Sequence, residues 1–562
     1  MPALGRRQRR HRLPARPLGI ALLNLGFLLL PGAAMPDRVL GAERLYVSYG
    51  ALDFSVPISD LEVYAKTGKI EQGFAFHARF LNQQQLLQLR SALLSRAQVT
   101  PVAMAQFLYS PLGESLLQRV GEVIQTKASQ PGFYALRAAL ILSAASPEGL
   151  TPLNVLRKFP TYGIRINSER GFQVIDQLTN LIRQTEGAIA AVENQSLAEA
   201  STATKVTFSG LPDLRKPGLV SWKKQSITLN DIRRRRVFPA DIYLPQIGGL
   251  EAPVIVISHG LGDNRNTFEY LAEHLASYGF AVAVPEHPGS NEQQVQALTR
   301  GLSRDVPPPR EFLDRPLDVK YLLDELGRLF PGQLNLQQVG AIGQSFGGYT
   351  ALAVAGAKLN FQQLRTDCLN SQNTLNLSLL LQCRALVLPP ADYKLQDERI
   401  KAAIAINPFA SSVFGEAGLS NIKVPLAIVA SSADTVTPAL SEQIQPFTWL
   451  TIPDKYLVLL KGGTHFSTLR ESTNTVLPLP IRVIGPSPET AKIYMKALSV
   501  AFLKTYIVGE PAYQPYLSAS YAEAISQDTI PLSVVRSLTS EQLTRERNET
   551  TPVPTPTLSP SP

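Results

Sequence analysis

Cysteine is almost absent: Cys368 and Cys383 are the only two in 562 residues. Two thiols with no histidine nearby exclude a cysteine-built metal centre. Histidine is also scarce, with six: His11, His77, His259, His274, His287 and His465. Charged residues make up 18% against 44% hydrophobic ones, a balance that belongs to a globular chain and not a disordered one. Beyond the first thirty residues no apolar run approaches the ~20 residues needed to span a bilayer. A clustered basic face is missing too. The net charge of +9 points to an anionic partner only until it is located, because seven arginines and a single acid, Asp37, fall within residues 1–42. A nucleic-acid footprint needs a clustered basic surface. The only later cluster, Arg233-Arg234-Arg235-Arg236, reads as a solvated strand edge or a set of salt-bridge donors. No nucleic-acid partner, cofactor or metal is expected.

The N-terminus couples basic residues to an apolar stretch from Leu18 to Leu30, too short for an ordinary spanning helix. Small residues follow at Gly32-Ala33-Ala34 and Gly41-Ala42. This predicts a signal peptide over 1–42, cleaved after Ala34 or Ala42, and a periplasmic or extracellular protein. An uncleaved membrane anchor is the alternative. In an oxidising compartment Cys368 and Cys383 read as a disulfide, against two free buried thiols.

Chemistry concentrates near Ser345. It sits in Gly343-Gln344-Ser345-Phe346-Gly347, between the apolar run Val339-Gly340-Ala341-Ile342 and the small-residue helix pattern from Gly348 to Ala355. G-x-S-x-G between strand and helix is a nucleophile elbow, whose sharp turn requires small residues two positions either side of the serine. A serine hydroxyl at its normal pKa needs a base, and the base an orienting carboxylate. Only His465 lies beyond Ser345, in Gly462-Gly463-Thr464-His465-Phe466 after a strand-like run. Of the aspartates between them (367, 392, 397, 434 and 454), only Asp434 follows a buried-strand pattern, Pro425 to Ser432. Its setting before Pro438 also suits a helix cap. The oxyanion donors are expected to be the backbone N–H groups of Phe346 and of Leu261, in the loop His259-Gly260-Leu261-Gly262 after the strand Val254 to Ser258. His259 precedes the serine and reads as structural.

At these residues the chain resembles a known group. Ser258-His259-Gly260-Leu261-Gly262, Leu271 to Phe280, Pro285-Glu286-His287 and Gln344-Ser345-Phe346-Gly347-Gly348 are similar to plasma-type platelet-activating-factor acetylhydrolases and to the wider dienelactone-hydrolase-like and polyester-hydrolase-like enzymes. The likeness covers roughly residues 215–505. It implies metal-free ester cleavage, with Ser345, the Phe346 N–H and the Leu261 N–H in the roles above. One position departs. The acetylhydrolases carry their acid after the strand following the nucleophile helix, where Asn407 stands here, so the acid falls one strand later, at Asp434. The whole chain resembles exported α/β-hydrolases of cyanobacterial type.

The predicted class is α/β: an α/β-hydrolase fold, with a mostly parallel central sheet and helices on both faces, preceded by a mainly helical N-terminal domain. The expected divisions are the signal peptide (1–42), a helical domain of unknown role (43–200), a polar linker (201–215) and the catalytic domain (216–508). A C-terminal extension (509–547) and a disordered Pro/Thr/Ser tail (548–562) follow. A short strand pair opens the helical domain near residues 45–56, and helical periodicity marks 82–94, 133–142 and 171–182. Asp314 is expected to cap a helix through Leu326. Residues 361–400 are an insertion where lids commonly sit. The apolar run from Leu375 to Leu381 either lines an acyl pocket or forms an ordinary buried helix. The function expected is a serine hydrolase of carboxylic esters, acting on a small-molecule or lipid ester, with peripheral membrane contact open. An amidase or peptidase on the same triad, or a non-catalytic binding protein, is the alternative.

Overall fold

The computed structural model describes residues 41–49, 52–202, 207–370, 376–470 and 485–549. Most of the predicted signal peptide and of the C-terminal tail lies outside them. The described residues form one compact unit.

The larger sheet has nine strands: β5 (Trp222–Asp231), β6 (Arg236–Pro245), β7 (Ala252–Ser258), β8 (Ala281–Pro285), β9 (Leu334–Gln344), β10 (Ile400–Ile406), β11 (Leu426–Ser431), β12 (Lys455–Leu460) and β13 (Leu532–Val535). Their order is β13-β12-β11-β10-β9-β7-β8-β6-β5. The strands from β12 through β8 run parallel, and β5, β6 and β13 pair antiparallel at the two edges. This is the α/β-hydrolase fold that the sequence predicts.

The strands read as continuous apolar runs because the sheet is covered on both faces. Side chains alternate between faces. Val254 and Val256 of β7 join a core with Phe312, Leu322 and Leu352, whereas Ile255 and Ile257 join another with Phe268, Leu271 and Leu503. In β10, Ala403 and Ala405 face the first core, and Ala402, Ile404 and Ile406 the second.

The N-terminal region is helical, as expected, around a small sheet of order β2-β1-β4-β3. Its strands are β1 (Arg44–Tyr49), β2 (Leu52–Pro57), β3 (Ile124–Thr126) and β4 (Gly163–Ile166). The predicted strand pair is the antiparallel β1–β2 hairpin. Helices span Gln83–Leu94 and Phe133–Ala144, and the third periodic segment lies inside a 35-residue helix, Ser168–Thr202. That helix buries Ala188, Ala191 and Val192 in the first core of the large sheet. Spacings of three and four residues put these on one face.

Three expectations change. Residues 207–215 are not a loose linker: Leu214 is buried in the second core, and Tyr516 donates to Pro212 O at 2.8 Å. The segment after 508 is part of the fold, supplying β13 to the sheet edge and a helix, Ser540–Glu549, that runs past the expected start of the tail at 548. Asp314 does not cap its helix. The helix spans Glu311–Leu329 with Arg310 at the cap position, and Asp314 accepts from Arg310 and Arg234.

The insertion carries helices Phe361–Asn370 and Leu377–Cys383, joined by the Cys368–Cys383 disulfide. Within the second helix Leu380 is buried and Leu381 packs on the first core, so this is a core-packed helix. Its polar side is tied to buried Glu442, which accepts from Ser378 Oγ at 2.7 Å and Gln382 Nε2 at 3.1 Å.

Candidate active site

β9 ends at Gln344 and the helix Phe346–Val354 begins two residues later, so Ser345 alone makes the turn. It adopts φ 55° and ψ −116°, a left-handed conformation that costs a non-glycine residue of order 1–3 kcal/mol. Neighbouring strands hold it: the Ser345 N–H donates to Ile406 O at 2.9 Å. A side chain on Gly343 would collide with the Gly347 carbonyl, and one on Gly347 with the Ser258 carbonyl. Both glycines are therefore required by close backbone approach.

β11 delivers Asp434 and β12 delivers His465. The His465 Nδ1 lies 2.7 Å from Asp434 Oδ2, with both residues buried. The other carboxylate oxygen, Oδ1, accepts from the backbone N–H groups of Val436 and Thr437, each at 2.8 Å. Asp434 thus caps the turn with one oxygen and meets the imidazole with the other. Thr437 Oγ1 donates to Asp434 Oδ2 at 2.9 Å. The His465 carbonyl accepts from Gln344 Nε2 at 3.1 Å, which anchors the histidine loop to the residue before Ser345.

Asn407, at the acetylhydrolase acid position, has φ 42° and turns its amide nitrogen towards the His465 carbonyl at 3.5 Å, not to the ring. Asp454 is remote: it accepts from Tyr506 and Arg536 at the surface. Asp397 pairs with Arg399, Asp367 accepts from Ser412 and Gln363, and Asp392 pairs with Lys394.

The loop 259–262 lies against the elbow. A Cβ on Gly260 would stand 2.5 Å from Gln344 Oε1, 2.8 Å from Asp263 Oδ2 and 3.6 Å from Ser345 Cβ. The Gln344 and Asp263 side chains crowd this position, and Ser345 lies within ordinary van der Waals reach of it. Gly262 donates to Ser290 O at 2.8 Å.

Beneath the loop lies a buried polar network. His259 Nε2 accepts the His287 backbone N–H at 3.0 Å, so its proton sits on Nδ1, which donates to Gly260 O at 2.7 Å. Burial holds His259 well below the usual imidazole range, with the Arg315 charge adding to it. That is a structural histidine. Ser258 Oγ, His287 and Asp318 form a second serine–histidine–aspartate chain: His287 Nε2 is 2.9 Å from Ser258 and its Nδ1 2.9 Å from Asp318. All three are buried, and burial likewise keeps His287 well below its usual range. Arg236 meets Glu311 and Asp318, and Arg234 meets Asp231 and Asp318. These two arginines are salt-bridge donors, whereas Arg233 and Arg235 are exposed.

Two further residues lie at the site. Burial pushes the Asp263 carboxyl up to about 6, against the pull of His465 and Arg315. Arg315 is fully buried and donates to the His259 and Gly260 carbonyls. Its signal in the sequence is the run of acids at 311, 314 and 318, spaced along one helical face beside an arginine, in a chain poor in charge. Among the described residues no three His, Cys, Asp or Glu side chains converge as a metal-holding group.

Fold and comparisons agree on an α/β-hydrolase. Residues 253–381 match the model of the alpha/beta hydrolase fold, and residues 41–167 match one described as alpha/beta hydrolase of unknown function (DUF1400). The chain resembles platelet-activating factor acetylhydrolase. It is 23% identical to that of Cavia porcellus over 355 residues, spanning 54% of this chain and 69% of the relative. It is 28% identical to that of Canis lupus familiaris over 169 residues, spanning 22% and 36%. A magnesium-chelatase 30 kDa subunit of Rhodobacter capsulatus is 30% identical over 122 residues, spanning 22% and 37%. These likenesses support a hydrolase.

Proposed function

We propose that the chain cleaves carboxylic esters by acyl transfer to Ser345, with His465 as base and Asp434 as its orienting acid. The observation that carries this reading is the 2.7 Å contact between Asp434 Oδ2 and His465 Nδ1, one strand removed from a serine on a strained turn. A proton held on Nδ1 by the carboxylate leaves Nε2 as the basic nitrogen. Nε2 takes the serine proton as Oγ attacks the ester carbonyl. The oxyanion that forms is received by the N–H groups of Phe346 and Leu261. His465 then gives the proton to the departing alkoxide, and water repeats the sequence to release the acid.

The acetylhydrolase relatives support a lipid or small-molecule ester as substrate. Amides remain the second reading, since the same groups serve both leaving groups. We further propose export, which the Cys368–Cys383 disulfide supports, since disulfides persist in oxidising compartments. Among the described residues no helix is long and apolar enough to cross a membrane.

The test is turnover of a p-nitrophenyl acyl ester series by the purified chain. Ser345→Ala should abolish it. Asp434→Asn should lower kcat by about 10⁴-fold, whereas Asp454→Asn should leave it unchanged. Loss in the Asp454 variant with retention in the Asp434 variant would reassign the acid.

A further inference from the structure

We propose that Arg315 is the positioning residue of the oxyanion hole, fixing both of its backbone donors from behind. The inference rests on the reading of Leu261 and Phe346 as those donors.

One guanidinium reaches both arms of the hole. Its Nη1 donates to His259 O at 2.7 Å and its Nη2 to Gly260 O at 3.1 Å. In a planar trans peptide the C=O and N–H point in opposite directions. The Gly260 carbonyl and the Leu261 N–H belong to one such unit. That carbonyl is held jointly by Arg315 and by the His259 ring, which donates to it at 2.7 Å, and this turns the Leu261 N–H away from the arginine. Ser345 is among the loop's neighbours, its Cβ 3.6 Å from where a Gly260 side chain would start, with Gln344 and Asp263 nearer. A charged donor on the carbonyl also polarises the peptide and strengthens its N–H. On the second arm, the guanidinium lies 4.5 Å over the ring of Phe346, which is packed among Phe312, Tyr349 and Phe409. The residue that supplies the other N–H is thereby fixed against the same group.

Arg315 is itself held. Its Nε donates to Ser290 Oγ at 2.7 Å, and Ser290 Oγ donates to Glu311 at 2.7 Å. The Ser290 carbonyl accepts the Gly262 N–H. Three points on the 259–262 loop thus refer back to the helix Glu311–Leu329. A planar fork bonds the two successive carbonyls from two nitrogens in fixed geometry, which the single nitrogen of lysine does not match.

The experiment compares the native chain with Arg315→Lys, Arg315→Met and Ser290→Ala. Each is titrated at the active site with a p-nitrophenyl phosphonate. Turnover of a p-nitrophenyl ester and inhibition by an alkyl boronic acid, which presents a tetrahedral anion on the serine, follow. Removing one oxyanion donor costs about 10²–10³-fold in kcat; misorienting the hole in Arg315→Met should cost about 10–100-fold per titrated site. KM should change little, and boronic acid affinity should fall in parallel with kcat/KM. Arg315→Lys should lie between, with a smaller change of the same kind in Ser290→Ala. A purely structural role would reduce the titratable fraction and the Tm while leaving kcat per titrated site unchanged, and that result overturns the inference. If Arg315→Met does not fold, unchanged kcat per site in both Arg315→Lys and Ser290→Ala overturns it equally. A native chain that the phosphonate fails to label at Ser345 overturns the nucleophile reading, and this inference with it.

Discussion

Ser345, Asp434 and His465 are proposed to act together because each follows a recognisable strand, because chain order leaves His465 without a competitor, and because Asp434 meets the His465 ring. What the sequence could not show was which carboxylate oxygen faces which partner, or what stands under the oxyanion loop. Those depend on contacts between residues far apart, such as Gly260 with Arg315, 55 positions away. Asp263 belongs to this hidden set. Its carboxyl is pushed up to about 6 from an ordinary value of 3.8, chiefly by burial. A raised folded pKa on an acid means the native state holds its proton more tightly than the unfolded chain. Stability is therefore lost as pH rises from 3.8 towards about 6, and the loss is complete above that range. Asp263→Asn removes this charge. The variant should be more stable than the native chain at pH 7.5 by on the order of 1–3 kcal/mol, with the gain shrinking towards pH 4. Denaturant unfolding at several pH values measures it. A difference independent of pH would contradict the burial of this carboxyl.

Elements were legible where a period was strong. The apolar strands β7 to β12 and the helix Phe133–Ala144 fell where their patterns put them. The helix Ser168–Thr202 was seen only in part, because its apolar stripe faces another part of the chain and its ends carry little signal. β13 was missed because four residues, Leu532–Val535, make a strand only through pairing with β12. The helix Leu377–Cys383 resolves an ambiguity that composition alone leaves open. Leu380 and Leu381 pack on the core, and Glu442 binds Ser378 and Gln382 on its polar side. The disulfide adds to this by closing a loop of separation 15. Such a loop is worth about 3 kcal/mol in the chain-entropy model. Cys368→Ser combined with Cys383→Ser should lose roughly that much stability in denaturant unfolding. Turnover of a short ester at 25 °C should stay within about two-fold, because Glu442 still holds the helix. A folded variant with a much altered kcat would show that the helix moves during turnover.

At the scale of the molecule, the sequence divides into a helical region, a linker and a hydrolase, and the fold joins them. Glu199 of the long N-terminal helix accepts the backbone N–H groups of Arg536 and Ser537, just past β13, and Ser196 donates to Val534 O. Linker boundaries inferred from polarity miss this, since polar side chains also cap and bridge packed segments. The hydrolase sheet is closed at one edge by the C-terminal strand, and that strand is braced by the N-terminal helix. On this frame the proposed function makes Ser345, on its turn, the nucleophile served by the Asp434–His465 pair. The most direct measurement of that claim is peptide mapping by mass spectrometry after reaction with a p-nitrophenyl phosphonate. The account predicts one stoichiometric adduct, on the peptide containing Ser345, absent from Ser345→Ala and formed far more slowly in His465→Ala. An adduct on another serine, or equal labelling of Ser345→Ala, would contradict it.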